Sequence, residues 1–411
     1  MTNPVLAVDF GTSNTAAAVL HDGKVRRLPI EAGADTLPTA VFFPERGAMR
    51  IGQAATAALI EGEEGRFMRA LKSVLGTPLL HESRLIAGKR RTLAGVVTEF
   101  LTELKARAEA ESGLVFSSVL SGRPVHFHSA DPARDAQAET DLRGCYDAAG
   151  FSDVAFLPEP EAAARASTGA AGETGLIVDI GGGTSDFTVF RQTDRGIGVV
   201  ASHGVRLGGT DFDQAISLAC VMPEFGLGGE LNRTLAEGRL PVPRAIYVDL
   251  ATWALIPFLY TAEVRRQAAD LLAHAVDRQR MQRLVSVLRD ELGHDVAFAV
   301  ERGKIAANEA GRGSVALGLV EAGLSVPLSS GQVNAALASQ REALAAALWE
   351  ALRLAGTAPH QVDHVVLVGG SSLMAMVSEE VVRVCPSARI SRAEAFTAVV
   401  DGLALATGEA G

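Results

Sequence analysis

A chain of 411 residues, 48% hydrophobic and 21% charged, is long for a single core and predicts two lobes or domains. Lys and Arg number 38 against 48 Asp and Glu, for a net charge of −10, and only 5% of the residues are aromatic. That balance argues against nucleic acid or an anionic membrane as the main partner, and against base-stacking platforms. Three widely spaced cysteines, Cys145, Cys220 and Cys385, show no ligand spacing and predict buried reduced thiols. The opening MTNPVLAVDF has no basic leader, and the greasiest stretch, 249–262, is too short for a bilayer, so the expected address is the cytoplasm.

In chain order, residues 4–20 (PVLAVDFGTSNTAAAVL) give an apolar run, Asp9, Gly11, small hydroxyl residues and a second apolar run. This is the grammar of a β-hairpin. Apolar residues at three-to-four spacing predict a helix over 93–112. PEPEAAARAS, 158–167, opens with prolines and continues in alanines, a helix start after a strand. LIVDIGGGTSDFTVF, 176–190, repeats the opening grammar as a second hairpin, with Asp179, three glycines and Asp186. Charged helical sequence is expected over 261–309 and another helix over 332–355; HVVLVGGSSLM, 364–374, reads as a strand running through Gly369-Gly370 into a helix. Strands alternate with helices throughout, so the class is α/β, with a lobe boundary near 165–175.

Three glycines in a row suit neither a strand nor a helix and call for something that approaches the backbone closely. Converging N–H groups at Gly181, Gly182 and Gly183 can cradle phosphate oxygens. Asp179 and Asp186, on either side of the turn, can hold a Mg²⁺ that bridges β- and γ-oxygens, usually through its water. Gly11, Thr12 and Ser13, after Asp9, form a mirrored half-site, and a triphosphate clamped between two hairpins needs both. Gly369, Gly370 and Ser371 could take an α-phosphate or ribose, although a lone Gly-Gly after a strand serves close packing as readily. Glu159 sits at a strand end where it can face a cleft or merely cap a helix. By composition alone Lys72 is an ordinary exposed lysine, and the nine histidines form no metal set.

These motifs resemble the actin-like ATPases, the superfamily of actin, sugar kinases and DnaK-type heat-shock chaperones, and most closely the nucleotide-binding domain of the DnaK family. VDFGTSNT and VDIGGGTSDFTV look like that family's two phosphate motifs, EPEAAA like its EPTAAA segment and VRLGGTDFDQAI like its LGGEDFD element. VLVGGSSLMAMV looks like its adenosine motif and VERGKIAAN like its adenosine-contacting helix. The resemblance implies a two-lobed fold, each lobe a mixed five-stranded-type sheet with flanking helices and a smaller insertion. Lobe I would span 1–168, with an insertion at about 38–112, and lobe II 169–411, with an insertion at about 214–300.

Carried over by position, Asp9, Asp179 and Asp186 would manage Mg²⁺, and Thr12, Ser13 and Thr184 would contact phosphates. Glu159 would orient the attacking water, and Lys72 would neutralise the γ-phosphate. Gly208 and Gly209 belong to the nucleotide-binding set, and Glu301 and Lys304 would approach adenosine opposite Gly369, Gly370 and Ser371. Pro124 and Arg134 fall where the family has a proline switch and an arginine relay, Arg134 only after a two-residue shift. Leu373, Asn308, Phe396 and Thr210 depart from the family pattern, which makes adenine selection less secure than phosphate binding. The resemblance implies a chain that would stop just after the nucleotide domain, without a β-sandwich or lid, similar to the short YegD-like group. The implied function is Mg²⁺-dependent ATP binding and slow hydrolysis to ADP that drives lobe closure, serving a protein partner or client. A monomer is one possibility, and a filament-forming ATPase and a small-molecule kinase of the same superfamily stay open as alternatives.

Overall fold

The computed structural model describes residues 4–166, 170–193, 196–233, 237–392 and 397–408. The chain divides into two compact units, one made of Met1–Gly209 with Glu342–Gly411 and the other of Thr210–Arg341.

Two of the sheets in the first unit are built to one plan. In the first, β1 (Val5–Phe10), β2 (Asn14–His21) and β3 (Lys24–Leu28) form an antiparallel meander, with the short Leu37–Pro38 strand also paired to β2. On the other side of β1 lie β4 (Ser118–Arg123) and β5 (Asp153–Pro158), both parallel. The second sheet repeats this with the meander β6 (Thr174–Ile180), β7 (Ser185–Thr193) and β8 (Gly196–Val205), followed by the parallel strands β9 (His364–Val368) and β10 (Arg389–Arg392). All seven residues of β6 are buried, the carboxylate-bearing Asp179 among them.

Parallel neighbours need crossovers. Helix α1 (Leu93–Ser112) comes before β4, capped by the Thr92 hydroxyl, which accepts from Gly95 N–H at 3.1 Å, and stopped by Gly113 at φ 71°. Helix α2 (Pro132–Ala148) links β4 to β5, starting at Asp131 with proline in its first turn. Two short alanine-rich helices, α3 (Glu159–Ala166) and α4 (Ala398–Ala406), share one buried cluster with both sheets. Ala7, Ala16 and Ala18 enter it from the first sheet and Ile177, Phe190 and Val366 from the second. Small side chains let the two helices cross at backbone distance, and a Cβ on Gly402 would collide with the Ala162 carbonyl.

In the second unit the region 261–309 resolves into helices Ala262–His274, Arg278–Arg289 and Gly293–Ala310, the first two capped by Thr261 and Asp277. The helix expected over 332–355 is two, Ser330–Ala336 and Ala338–Leu354. Leu337 leaves helical geometry between them and is buried, a one-residue break that periodicity does not reveal. Cys145 and Cys385 are buried, Cys220 is half-buried, and all three are free. Among the described residues no helix is long and apolar enough to cross a membrane.

Candidate phosphate site at two facing hairpin turns

The two hairpins close identically. Gly11 N–H donates to the Asn14 carbonyl at 3.0 Å, and Gly181 N–H donates to the Thr184 carbonyl at 3.0 Å. In register, Asp9 stands opposite Ala16, whereas Asp179 stands opposite Asp186. The tips meet. A Cβ on Gly182 would collide with Ser13 Oγ and lie 3.1 Å from Thr12 Cβ, and one on Gly183 would lie 3.0 Å from Thr12 Oγ1. The bare backbone at 182–183 therefore admits the hydroxyl side chains of the opposite turn, a demand that the motif taken alone assigns entirely to phosphate.

Other predicted glycines gather at the same place. A Cβ on Gly208 would sit 2.5 Å from Gly183 N, and Gly209 N–H donates to the Gly181 carbonyl at 3.0 Å while its α-carbon backs onto Ser371 Oγ. Gly369, at φ 79°, packs on the Ile180 carbonyl, and a Cβ there would lie 2.7 Å from Asp179 Oδ1. Gly370 opens a single 3₁₀ turn, Gly370–Leu373, which carries Ser371. Thr184 hydrogen-bonds to the Asp186 carboxylate.

The acidic residues converge with one lysine. Lys72, on the 3₁₀ turn Leu71–Val74 that follows Ala70 at φ 61°, is buried, and its Nζ donates to Glu159 Oε1 at 2.5 Å. That pairing joins residues 87 apart in sequence and replaces the exposed lysine that composition suggests. Burial by itself would lower the Lys72 pKa, but Glu159, Asp9 and Asp186 more than offset it, and the net direction is upward. Loss of water, then the charge of Glu159, pushes the Asp9 carboxyl up to about 7 against the pull of Lys72. Asp179 is raised well above the carboxylate range by burial, then by Glu159, Asp186 and Asp9. Asp186 is raised by burial and Glu159, with Val125 N–H (2.9 Å from Oδ1), Lys72 and Thr184 pulling the other way.

Carboxyls that repel one another at a tip of backbone N–H groups and hydroxyls form a donor set suited to a divalent cation paired with phosphate. Among the described residues no three His, Cys, Asp or Glu side chains form a direct metal-ligand set.

In the second unit, Glu301 and Lys304 lie on helix Gly293–Ala310. Lys304 Nζ is 2.7 Å from Asp213 Oδ1, and Trp253 Nε1 donates to Asp213 Oδ2 at 3.2 Å. Burial raises the Asp213 carboxyl, Lys304 draws it down and Glu301 raises it again. Asp213 is a residue that motif reasoning misses; its only signal in the sequence is its place as the second acid of the LGGTDFD run. Pro124 is buried, but Arg134 is half-exposed and stands 3.5 Å from Asp131. It is Arg123 that grips this segment, donating to the Pro124 carbonyl at 3.1 Å and the Val125 carbonyl at 3.3 Å and pairing with Glu139. Arg134, in the first turn of α2, is turned outward. Leu373 is exposed, and Phe396 lies outside the described residues.

The family model described as "Hsp70 protein" matches residues 5–229, more than half of the chain. The chain is 31% identical over 220 residues to the chaperone protein DnaK of Thermoplasma acidophilum, across 52% of this chain and 34% of that protein. It is 30% identical over 257 residues to a chaperone protein HscA homolog of Laribacter hongkongensis, across 57% of this chain and 40% of that one. The chain thus spans only about a third to two-fifths of the curated relatives it matches. The repeated mixed sheets are those of the Hsp70 and actin-like fold class. Within that class, the chain belongs to the Hsp70 family.

Proposed function

We propose that this chain binds ATP with Mg²⁺ at the facing hairpin turns and hydrolyses it slowly to ADP and phosphate, in service of a protein partner or client in the cytoplasm. One observation carries the reading: two hairpins with identical closure meet tip to tip beside Asp9, Asp179, Asp186, Glu159 and Lys72. Mg²⁺, when bound, would neutralise charge on the β- and γ-phosphates. The glycine amides and the Thr12, Ser13 and Thr184 hydroxyls hold phosphate oxygens. Asp9, Asp179 and Asp186 are the residues that would hold the cation.

Lys72 exchanges its Glu159 partner for a γ-phosphate oxygen, where its charge counts most as negative charge builds up. Glu159, released, orients the attacking water. Chemistry of this kind is mainly positioning and charge stabilisation and needs no strong base. Lobe closure around ATP and loosening after hydrolysis would be the output. The roles of Glu301 and Lys304 toward adenosine, and likeness to the short YegD-like group, rest on motif resemblance.

The test is Mg²⁺-dependent phosphate release from ATP by the purified chain, with and without chelator and with a panel of sugars as acceptors. Release that needs Mg²⁺ and is indifferent to sugars is expected. No release, or transfer to a sugar, would sink the proposal.

A further inference from the structure

The turn that carries Lys72 is held from outside itself. Ala70 before it is left-handed and Gly76 after it has φ 73°, so its backbone leaves regular structure at both ends. Three side chains from distant segments take up its polar groups. Arg206 donates to the Ser73 carbonyl at 2.8 Å, and His128, through its Nε2–H, donates to the Leu75 carbonyl at 2.7 Å. Asp141, buried in α2, accepts from Gly76 N–H at 2.9 Å.

The Asp141 carboxylate also takes Gln137 Nε2 at 2.7 Å and His81 Nε2 at 3.0 Å, so one group pins α2, the Lys72 turn and the segment beyond it. The fit is close: a Cβ on Gly76 would run into the Arg134 carbonyl and lie 3.1 Å from Ala138 Cβ. A buried carboxylate costs desolvation, and this one is compensated by donors that have no part in the acid cluster.

We infer that Asp141 is a positioning residue for Lys72: through the Gly76 amide it sets where the Lys72 ammonium stands relative to Glu159 and the hairpin tips. The inference rests on the role proposed for Lys72, but the anchor can be read without any turnover. Without the acceptor, the Gly76 N–H is left buried and unpaired, and the turn that carries the lysine loses its anchor at the far end. A displacement of about 1 Å at a reacting charge can cost up to about a hundredfold in rate without touching ground-state binding.

The experiment compares the full chain with Asp141→Leu, Asp141→Asn and Lys72→Ala. Amine acylation is followed by mass spectrometry at Lys72 and at the buried Lys304 of the other unit, alongside ATP turnover. Asp141→Leu should raise Lys72 acylation about tenfold with Lys304 unchanged, the scale expected for loss of one buried hydrogen bond. It should lower kcat about tenfold or more with KM for ATP within about threefold. Asp141→Asn, whose carbonyl can still accept from Gly76, should restore most of both. Unchanged Lys72 acylation in Asp141→Leu overturns the inference, as does a parallel rise at Lys304, which would mean general loosening. A wild-type kcat in Asp141→Leu overturns it when Lys72→Ala is inactive. If Lys72→Ala turns over ATP normally, the role proposed for Lys72 falls and the acylation result alone decides the anchor.

Discussion

The hairpins β1–β2 and β6–β7 are two answers to one design. They share strand order, sheet partners and the same turn-closing hydrogen bond, and their leading acids Asp9 and Asp179 fall at equivalent positions. They differ in the turn itself and on the returning strand. The first turn has Thr12 and Ser13 where the second has Gly182 and Gly183, and the acid Asp186 stands where the first hairpin has Ala16. Each difference is complementary: hydroxyls on one tip enter the space left bare on the other, and Ala16 packs into the core shared with α3 and α4. A repeated fold has thus been divided into a hydroxyl side and an acidic side.

If that division holds, the largest effect comes from the acidic side. Asp179→Asn should reduce Mg²⁺-dependent hydrolysis by about a thousandfold while ATP affinity falls far less. Steady-state kinetics with calorimetric titration would show it, and an unchanged rate removes Asp179 from the site. Lys72→Ala comes next, losing about a hundredfold in kcat, near 3 kcal/mol, with Kd shifted only a few-fold. Arg69→Ala is its control and should change little; an inactive Arg69 variant beside an active Lys72 variant would mean that the alignment of this segment is off by a turn.

Gly182→Val should cost ATP affinity about tenfold or more, because its branch meets Ser13 and Thr12 as well as phosphate space. Adding Ser13→Gly should recover part of the loss if the tips pack on each other, so a strictly additive double mutant would break the comparison.

The smallest effect is a pH dependence of the ligand-free protein. Asp9 titrates near 7 when folded against an ordinary 3.8, so between those values the native state keeps a proton that the unfolded chain releases. Stability therefore falls as pH rises through that window, by about 1.4 kcal/mol per unit at most for this group, and levels off above it. Asp179 and Asp186, also raised, act in the same sense. Urea unfolding from about pH 5 to about pH 8 should show a flatter slope for Asp9→Asn than for the wild type. Equal slopes would remove Asp9 from the group of strained acids.

Local rules were enough for much of this molecule. Apolar runs broken by Asp, Gly and small hydroxyl residues marked both hairpins, the three-to-four spacing of 93–112 marked α1 to its ends, and prolines before alanines marked α3. Those signals work because turn chemistry and hydrophobic period are settled within about a dozen residues of chain. What only the tertiary structure decided concerns groups whose partners lie far away in sequence. Examples are the burial of Lys72 against Glu159, the anchoring of its turn by Asp141, His128 and Arg206, the outward turn of Arg134 beside the gripping Arg123, and the meeting of Gly182 with Ser13. A charge or a glycine takes its energetic meaning from whatever replaces the water around it, and that replacement exists only once remote segments have packed.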